Sequence, residues 1–373
     1  MTNLENNEQT EAVSIEETEV NQCSSCGGNT VFDPSSGALK CPFCGSEKEI
    51  EKTQENAIEL SFLQALEKDD HSWDDEKRVF SCKNCGAETV LDKDKVADFC
   101  TFCGSSHISS SENHAGIKPA LVLPFQVSKE EAIEKFKVWI NKRYFAPSSL
   151  KKTYQLSKIT GAYLPYWTFD SKTHSNFVVR IGTYYYVTVT RTVVEDGKTR
   201  RVTEQVRKIR WRTERGNYSE FFDDVLVKAS RNVASDLIHK IEPFQLNALV
   251  DYKSQFLSGF LAERYSIPLK DGWNGAKAMI DTRIVNGIER QVHGDVVQVT
   301  SVSTNYKDIT YKHILLPIWI SSFHFNHKVY RFLVNGQTGK VSGNAPISAL
   351  KVTIISLVAI VIIAIFIIFF AGQ

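Results

Sequence analysis

The sequence predicts an α+β fold, with two small cysteine-rich units ahead of it and one membrane-spanning helix behind it. Three observations predict this. All eight cysteines fall in four Cys-x-x-Cys-Gly knuckles. An uncharged apolar run closes the chain. Between them, strand-like and helix-like stretches follow one another without βαβ alternation.

The knuckles are Cys23/Cys26, Cys41/Cys44, Cys82/Cys85 and Cys100/Cys103. Fourteen residues separate the first from the second, and fourteen the third from the fourth. No cysteine is left over. Two tight turns from separate hairpins supply four thiolates, the donor set of a closed tetrahedral zinc site. The matched spacing pairs knuckle one with two and three with four, giving two tandem zinc ribbons and two structural Zn2+ ions. Gly27, Gly45, Gly86 and Gly104 let each turn close and bring amides to the sulfurs. A disulfide framework is the alternative, but a chain without a signal peptide does not favour it. A four-thiolate site has no open position, so no hydrolysis follows from it. Partner docking, a purely structural use and nucleic-acid contact stay open for the ribbons. Phe32, Phe43, Phe80, Phe99 and Phe102 are expected in their miniature cores.

Val352 to Phe370 carries no charge. As a helix its nineteen residues span roughly 28 Å, the thickness of a bilayer core. The transmembrane helix is placed at 350–370. Lys340 and Lys351 precede it and no basic residue follows. The positive-inside bias puts the N-terminal bulk in the cytoplasm, and reduced thiolates require the same side. The expectation is a single-pass, tail-anchored protein of the cell membrane.

Lys and Arg total 44 against 43 Asp and Glu, so bulk charge implies no partner. Residues 1–21 hold six glutamates and no basic residue, which reads as a disordered acidic tail. Ribbon 1 is assigned to 22–48, a helical connector to 49–78, ribbon 2 to 79–106, a flexible linker to 107–116, and the α+β domain to 117–347. The connector places Ile58, Phe62, Ala65 and Leu66 on one helical face, expected beside Trp73. Ser128 and Glu131 form a capping box that starts a helix. Further helices are expected at Ala229–Lys240 and Trp273–Asn286. Strands are expected at Asp295–Ser303, Ile314–Phe325 and Val329–Val334.

Phe177–Val194 and Arg201–Arg212, around Glu195-Asp196-Gly197-Lys198, read as a long antiparallel hairpin. Val202 and Val206 share one phase and Ile209 and Trp211 the other, a change that a bulge would explain. Residues 178–215 hold ten Lys or Arg and four acids. Arg200, Arg201, Arg207, Lys208, Arg210 and Arg212 are the candidates for contact with an anionic surface. Lipid headgroups, an acidic partner, a nucleic-acid backbone and a solvated face all fit. Ala162–Trp167 (AYLPYW) is echoed by Ile314–Trp319 (ILLPIW), and more weakly by Leu123-Pro124-Phe125. A duplicated half-domain and a repeated use of proline where strands start both account for it.

No phosphate-binding glycine loop, dinucleotide fingerprint, nucleophile elbow or His-Glu-x-x-His is present. Every cysteine is claimed by zinc, so no thiol nucleophile remains. Nothing recommends an enzyme.

The four knuckles, together with WINKRYFAP (139–147), GAYLPYWTFD (161–170), LLPIW (315–319) and VNGQTGK (334–340), resemble a bacterial family. Its members are membrane-anchored double zinc-ribbon proteins of the YdjG type. They are catalogued as TFIIB-type zinc ribbons and sometimes mislabelled as primosomal (PriA) helicase-like. A helicase needs a nucleotide cradle that this chain lacks. The resemblance implies an adaptor for PspA-type or SPFH (virion-core-like) envelope-stress proteins. The expected function is therefore a tail-anchored zinc-ribbon adaptor that recruits protein partners to the cytoplasmic face. The alternative is a membrane-tethered nucleic-acid-binding protein.

Overall fold

The computed structural model describes residues 22–53, 59–67, 73, 77–83, 86–92, 100, 102, 108–110, 116–147, 159–195, 198–232, 235–325 and 328–371. The expected acidic tail and most of the expected flexible linker lie outside them. The fold is α+β.

The chain opens with a three-stranded antiparallel sheet, β1 (Val31–Asp33), β2 (Ala38–Lys40) and β3 (Glu47–Lys48), in that order. Next come β4 (Leu60–Ser61), α1 (Phe62–Leu66), β5 (Lys77–Cys82), β6 (Glu88–Asp92) and β7 (Ile108–Ser110). The large remainder runs β8 (Leu121–Val122), α2 (Lys129–Asn141), β9 (Thr160–Glu195), β10 (Lys198–Lys228) and α3 (Ser235–Ile241). It continues with β11 (Val250–Asp251), β12 (Leu261–Glu263), α4 (Leu269–Gln291), β13 (Val296–Phe325), β14 (Lys328–Asn335), β15 (Val341–Gly343) and α5 (Ala349–Ala371).

One sheet takes in β4 to β15, ordered β11-β8-β13-β9-β12-β6-β5-β7, with β10 on β9, β14 and β4 on β13, and β15 on β14. Its spine is the antiparallel pair β9–β13, which runs from Gly182↔Val296 to Thr160↔Ile320. The two sequence echoes lie face to face here: Leu164 opposes Leu316, Pro165 opposes Leu315, and Tyr163 opposes Pro317. A local two-fold relates them. β8 runs parallel to β13 and β12 parallel to β9. Thus β8–α2–β9–β10 and β12–α4–β13–β14 are equivalent units, each lending its short strand to the other's long one. The prolines also match. The Pro165 carbonyl accepts from Ala229, just after β10, and the Pro317 carbonyl from Gly336, just after β14. Both prolines stand inside strands, where one flanking neighbour ends and the next begins, so the missing N–H breaks no ladder. This favours duplication over proline use where strands start.

The long strands exceed the sequence reading. β9 and β10 pair without interruption from Glu195↔Lys198 to Ser171↔Phe222. The phase change at Val206/Ile209 is therefore no bulge. Val202 and Val206 lie on one face of the ribbon, Ile209 and Trp211 on the other. The irregularities fall at Val299/Ser301 and at Phe222/Val225 and Lys307/Thr310, and at the last two Asp224 and Asp308 adopt φ of 47° and 50°. The last of these lets one strand, β13, cover both separately expected segments.

α4 lays Trp273, Ala276, Ile280, Ile284 and Ile288 on the sheet at helical spacing. Gly272 allows this approach, because a Cβ there would meet the Trp167 ring at 2.6 Å. α2 starts where expected, with Ser128 accepting from the Glu131 amide and the Glu131 carboxylate from the Ser128 amide. Phe62 packs on Phe169 and Trp273. Trp73 does not join it; it lies buried against Tyr252 and His313.

Candidate metal centre and basic ribbon

Two equivalent turns build the metal site. The Gly27 amide donates to the Cys23 carbonyl at 2.8 Å, and Gly45 to Cys41 at 3.0 Å. Cys23 and Cys41 donate back to Gly28 and Ser46, each at 2.8 Å. Gly27 and Gly45 hold φ of 72° and 75°, the left-handed region that glycine enters freely. These turns converge Cys23, Cys26, Cys41 and Cys44, with all four sulfurs within 4.8 Å of one another.

The sulfurs of Cys23 and Cys44, and of Cys26 and Cys41, stand 3.5 Å apart. A disulfide would need about 2.05 Å. A zinc tetrahedron with bonds of about 2.3 Å has edges of about 3.8 Å. The donor set therefore fits one zinc ion and not a cross-link. The Ser25 and Cys26 amides pull the Cys23 thiol down to about 6. The Ser46 hydroxyl and amide lower Cys44. The Gly28 amide favours a Cys26 thiolate, but the sulfurs of Cys41, Cys44 and Cys23 outweigh it and push that thiol up to about 12. Crowded sulfurs resist joint ionisation unless a cation sits among them.

Among the described residues this is the one group of four cysteines brought together. Cys85 and Cys103 lie outside the described residues, so the second expected zinc site does too. Its first half is visible. The Gly86 amide donates to Cys82 at 2.8 Å and Cys82 to Ala87 at 2.9 Å, with Gly86 at φ 73°. This is the same turn a third time. Cys100 is buried near it in one core cluster with Cys82, Ala87 and Phe102.

Neither cysteine unit is loosely displayed. Phe32 donates its amide to Ser258 at 2.9 Å and packs edge-on against Phe256. The Ser258 hydroxyl donates to Thr30 at 2.6 Å. β6 pairs with β12, so the second unit extends the main sheet. Phe32, Phe80 and Phe102 are buried, Phe32 and Phe102 in cores shared with the large sheet. Phe43, expected inside, is 79% exposed and lies over Gly28. Phe99 lies outside the described residues.

All the basic candidates but Arg212, which faces Ile181 beside β13, occupy the far part of the β9–β10 ribbon. β13 stops at Gly182↔Val296, while residues 183–195 continue to pair with 198–210 alone. That two-stranded arm is roughly 40 Å long. The register splits the candidates. Arg201 and Arg207 share one face; Arg200, Lys208, Arg210 and Arg212 share the other. Arg207 stacks on Tyr184 at 4.3 Å, Arg210 on Tyr185 at 5.3 Å, and Arg180 on Trp211 at 4.8 Å. Arg212 pairs with Glu214 at 3.1 Å.

α5 starts at the other end of the sheet. Asn344 bonds to Arg331, the register partner of Ser322, beyond the Thr160 end of β9. About 35 residues of strand, on the order of 110 Å of path, separate that level from the arm's tip. α5 is long and apolar enough to cross a bilayer, and none of its span is buried against the chain.

Two polar groupings carried no sequence signal, since their members come from distant strands. Asp170 accepts from the Asp224 amide at 2.6 Å and from the Thr310 hydroxyl at 3.1 Å. The Lys312 ammonium reaches Asp224 at 3.1 Å, and Asp170 and Glu59 at 3.8 Å. Burial would lower this ammonium, but Asp224, Asp170 and Glu59 prevail and raise it. The group ties the β10 irregularity to the one at Lys307/Thr310 in β13. Elsewhere Glu263 is fully buried, accepting from Ser230 and Asn232, both at 2.7 Å, through one oxygen. Burial pushes its carboxyl up to about 7.

The chain is 31% identical over 342 residues to "Uncharacterized protein YdjG" of Bacillus subtilis (strain 168), covering 89% of this chain and 91% of that protein. No family model matches the chain. No solved structure matches it either.

Proposed function

The chain belongs to the family of YdjG of Bacillus subtilis, and on that premise we propose a membrane-anchored zinc-ribbon adaptor that recruits protein partners. α5 holds it in the membrane, with Lys340 and Lys351 keeping the bulk on the cytoplasmic side. Two structural zinc ions brace the N-terminal units. The repeated turn at Cys82–Gly86 supports the second ion. The reading assigns the protein no catalysis.

The observation that carries the proposal is the arm at 183–210. Among the described residues its strands pair only with each other, and past Tyr184, whose amide donates to the Asp295 carboxylate at 2.6 Å, no strand lies along either outer edge. Tyr186, Val189, Val194 and Val202 are exposed along it. Such an arm can take up a partner's strand or present its face to one. PspA-type and SPFH-type proteins are the partners the family resemblance implies. The test uses the full chain in nanodiscs. Residues 187–206 are replaced by Asn-Gly, which closes Tyr186 against Arg207 with a two-residue turn. Purified PspA-type and SPFH-type proteins are then titrated against both forms. The parent should bind one of them and the short-armed form should not, with zinc content equal. Undiminished binding by the short form would refute the role of the arm.

A second reading has its own observation. A two-stranded ribbon fits a DNA major groove, and the stacked pairs Arg207–Tyr184 and Arg210–Tyr185 line this one. Phosphate contact would give salt-dependent binding, with the slope falling by about 0.9 for each arginine removed from a contact. Retention of nucleic acid that ignores salt excludes it.

A further inference from the structure

The ribbon was the sequence's candidate for an anionic surface, yet it lies at the end of the sheet remote from α5. A different basic and aromatic surface lies where α5 begins. α2 ends at Asn141, and the loop that follows reads Lys142-Arg143-Tyr144-Phe145-Ala146. The first turn of α5 is bonded to this loop. The Ser348 amide donates to the Phe145 carbonyl at 2.9 Å. The Lys351 ammonium donates to the carbonyls of Ala146 at 2.7 Å and Tyr144 at 3.2 Å. The loop therefore sits level with the start of the apolar span.

Its outward composition is that of a bilayer interface. Tyr144 is 69% exposed, Ile347 and Leu350 each 72%, and Val138 and Phe145 are also exposed. Lys142 and Arg143 are exposed beside them. The Arg143 guanidinium lies 4.6 Å from the Trp139 ring. No Asp or Glu occurs in 138–147 or 344–351. Amphipathic rings favour the headgroup level, and lysine and arginine extend toward its phosphates.

We infer that the α2–α5 corner is a lipid-binding surface, with Lys142, Arg143 and Lys351 holding phosphate of anionic headgroups and Tyr144 and Phe145 entering the interface. Continuity with the span selects this occupant: a helix seated in the bilayer carries the bonded loop to the headgroup layer. The inference rests on the membrane reading of α5. It also fixes posture, since a clamped corner stops the sheet from swivelling about α5 and points the arm away from the bilayer.

The test is hydrogen exchange of residues 141–147 in the full chain, in nanodiscs of phosphatidylcholine alone and with about one quarter phosphatidylglycerol. Resistance to alkaline extraction from vesicles reports α5 insertion separately. Exchange should slow about fivefold or more with phosphatidylglycerol and recover in high salt. Lys142→Glu with Arg143→Glu should abolish the slowing while α5 stays inserted. Equal exchange in both discs, or slowing retained in the double variant, overturns the inference and leaves the anchor intact. Extraction of the parent chain at alkaline pH overturns the anchor itself.

Discussion

Leu164 on β9 faces Leu316 on β13 at the centre of the sheet, and both are fully buried. The pair lies on the two-fold that relates the two halves of the fold. Each half is completed by a short strand from the other, so neither can bury its core alone. Folding of the large sheet should therefore be one cooperative event.

Leu164→Ala and Leu316→Ala should each cost about 2–5 kcal/mol, as buried leucine truncations do. Because they share one cavity, the double variant should cost less or more than the sum by about 0.5 kcal/mol or more. Chemical denaturation of the four proteins checks this, and strict additivity would place the two side chains in separate environments.

Cys41→Ser should remove one equivalent of zinc, measured by elemental analysis, and loosen the first unit. Phe32 links that unit to Phe256 and Phe260, so the thermal midpoint of the whole protein should fall as well. An unchanged midpoint would mean that the docking survives without metal.

Glu263 gives stability a pH signature. Its folded carboxyl titrates near 7, above the ordinary value of about 4.3. The stabilising, protonated state is fully present below about 4.3 and is lost as pH rises through 7. Glu263→Gln should thus be near neutral at pH 5 and stabilise by about 2–3 kcal/mol at pH 8. An equal effect at both pH values would contradict the burial argument.

His313 acts in the opposite sense. It is fully buried, its Nδ1 donates to the Ile117 carbonyl at 2.8 Å, and burial lowers it to about 4. Stability should be complete above about 6.5 and decline as pH falls toward 4. Denaturation profiles of the Glu263→Gln protein should keep this acid limb.

Asp170→Asn should destabilise by about 1–3 kcal/mol, since it removes one of the three carboxylates around Lys312 and weakens the acceptor for the Asp224 amide and the Thr310 hydroxyl. Substituting Lys312→Met with Asp170→Asn should recover part of that loss. A double variant no better than the single one would show that Asp170 serves mainly through its bonds to Asp224 and Thr310.

The sequence by itself determined the local devices. The knuckles at Cys23, Cys41 and Cys82 carry their own turn geometry, and the Cys23–Cys44 group follows from spacing. The Ser128–Glu131 box fixes the start of α2, and an uncharged, mostly apolar nineteen-residue run needs no neighbours to be read as a span. Only the tertiary structure decided how these parts join. A period of two says which side chains share a face, but not which strand lies alongside or how far it runs. Hence the 36-residue length of β9, the exchange of β8 and β12, and the seating of both cysteine units in shared cores stayed hidden. So did the Asp170–Lys312 group and the α2–α5 corner, whose members meet across long stretches of chain because burial of apolar surface, not local preference, brings them together.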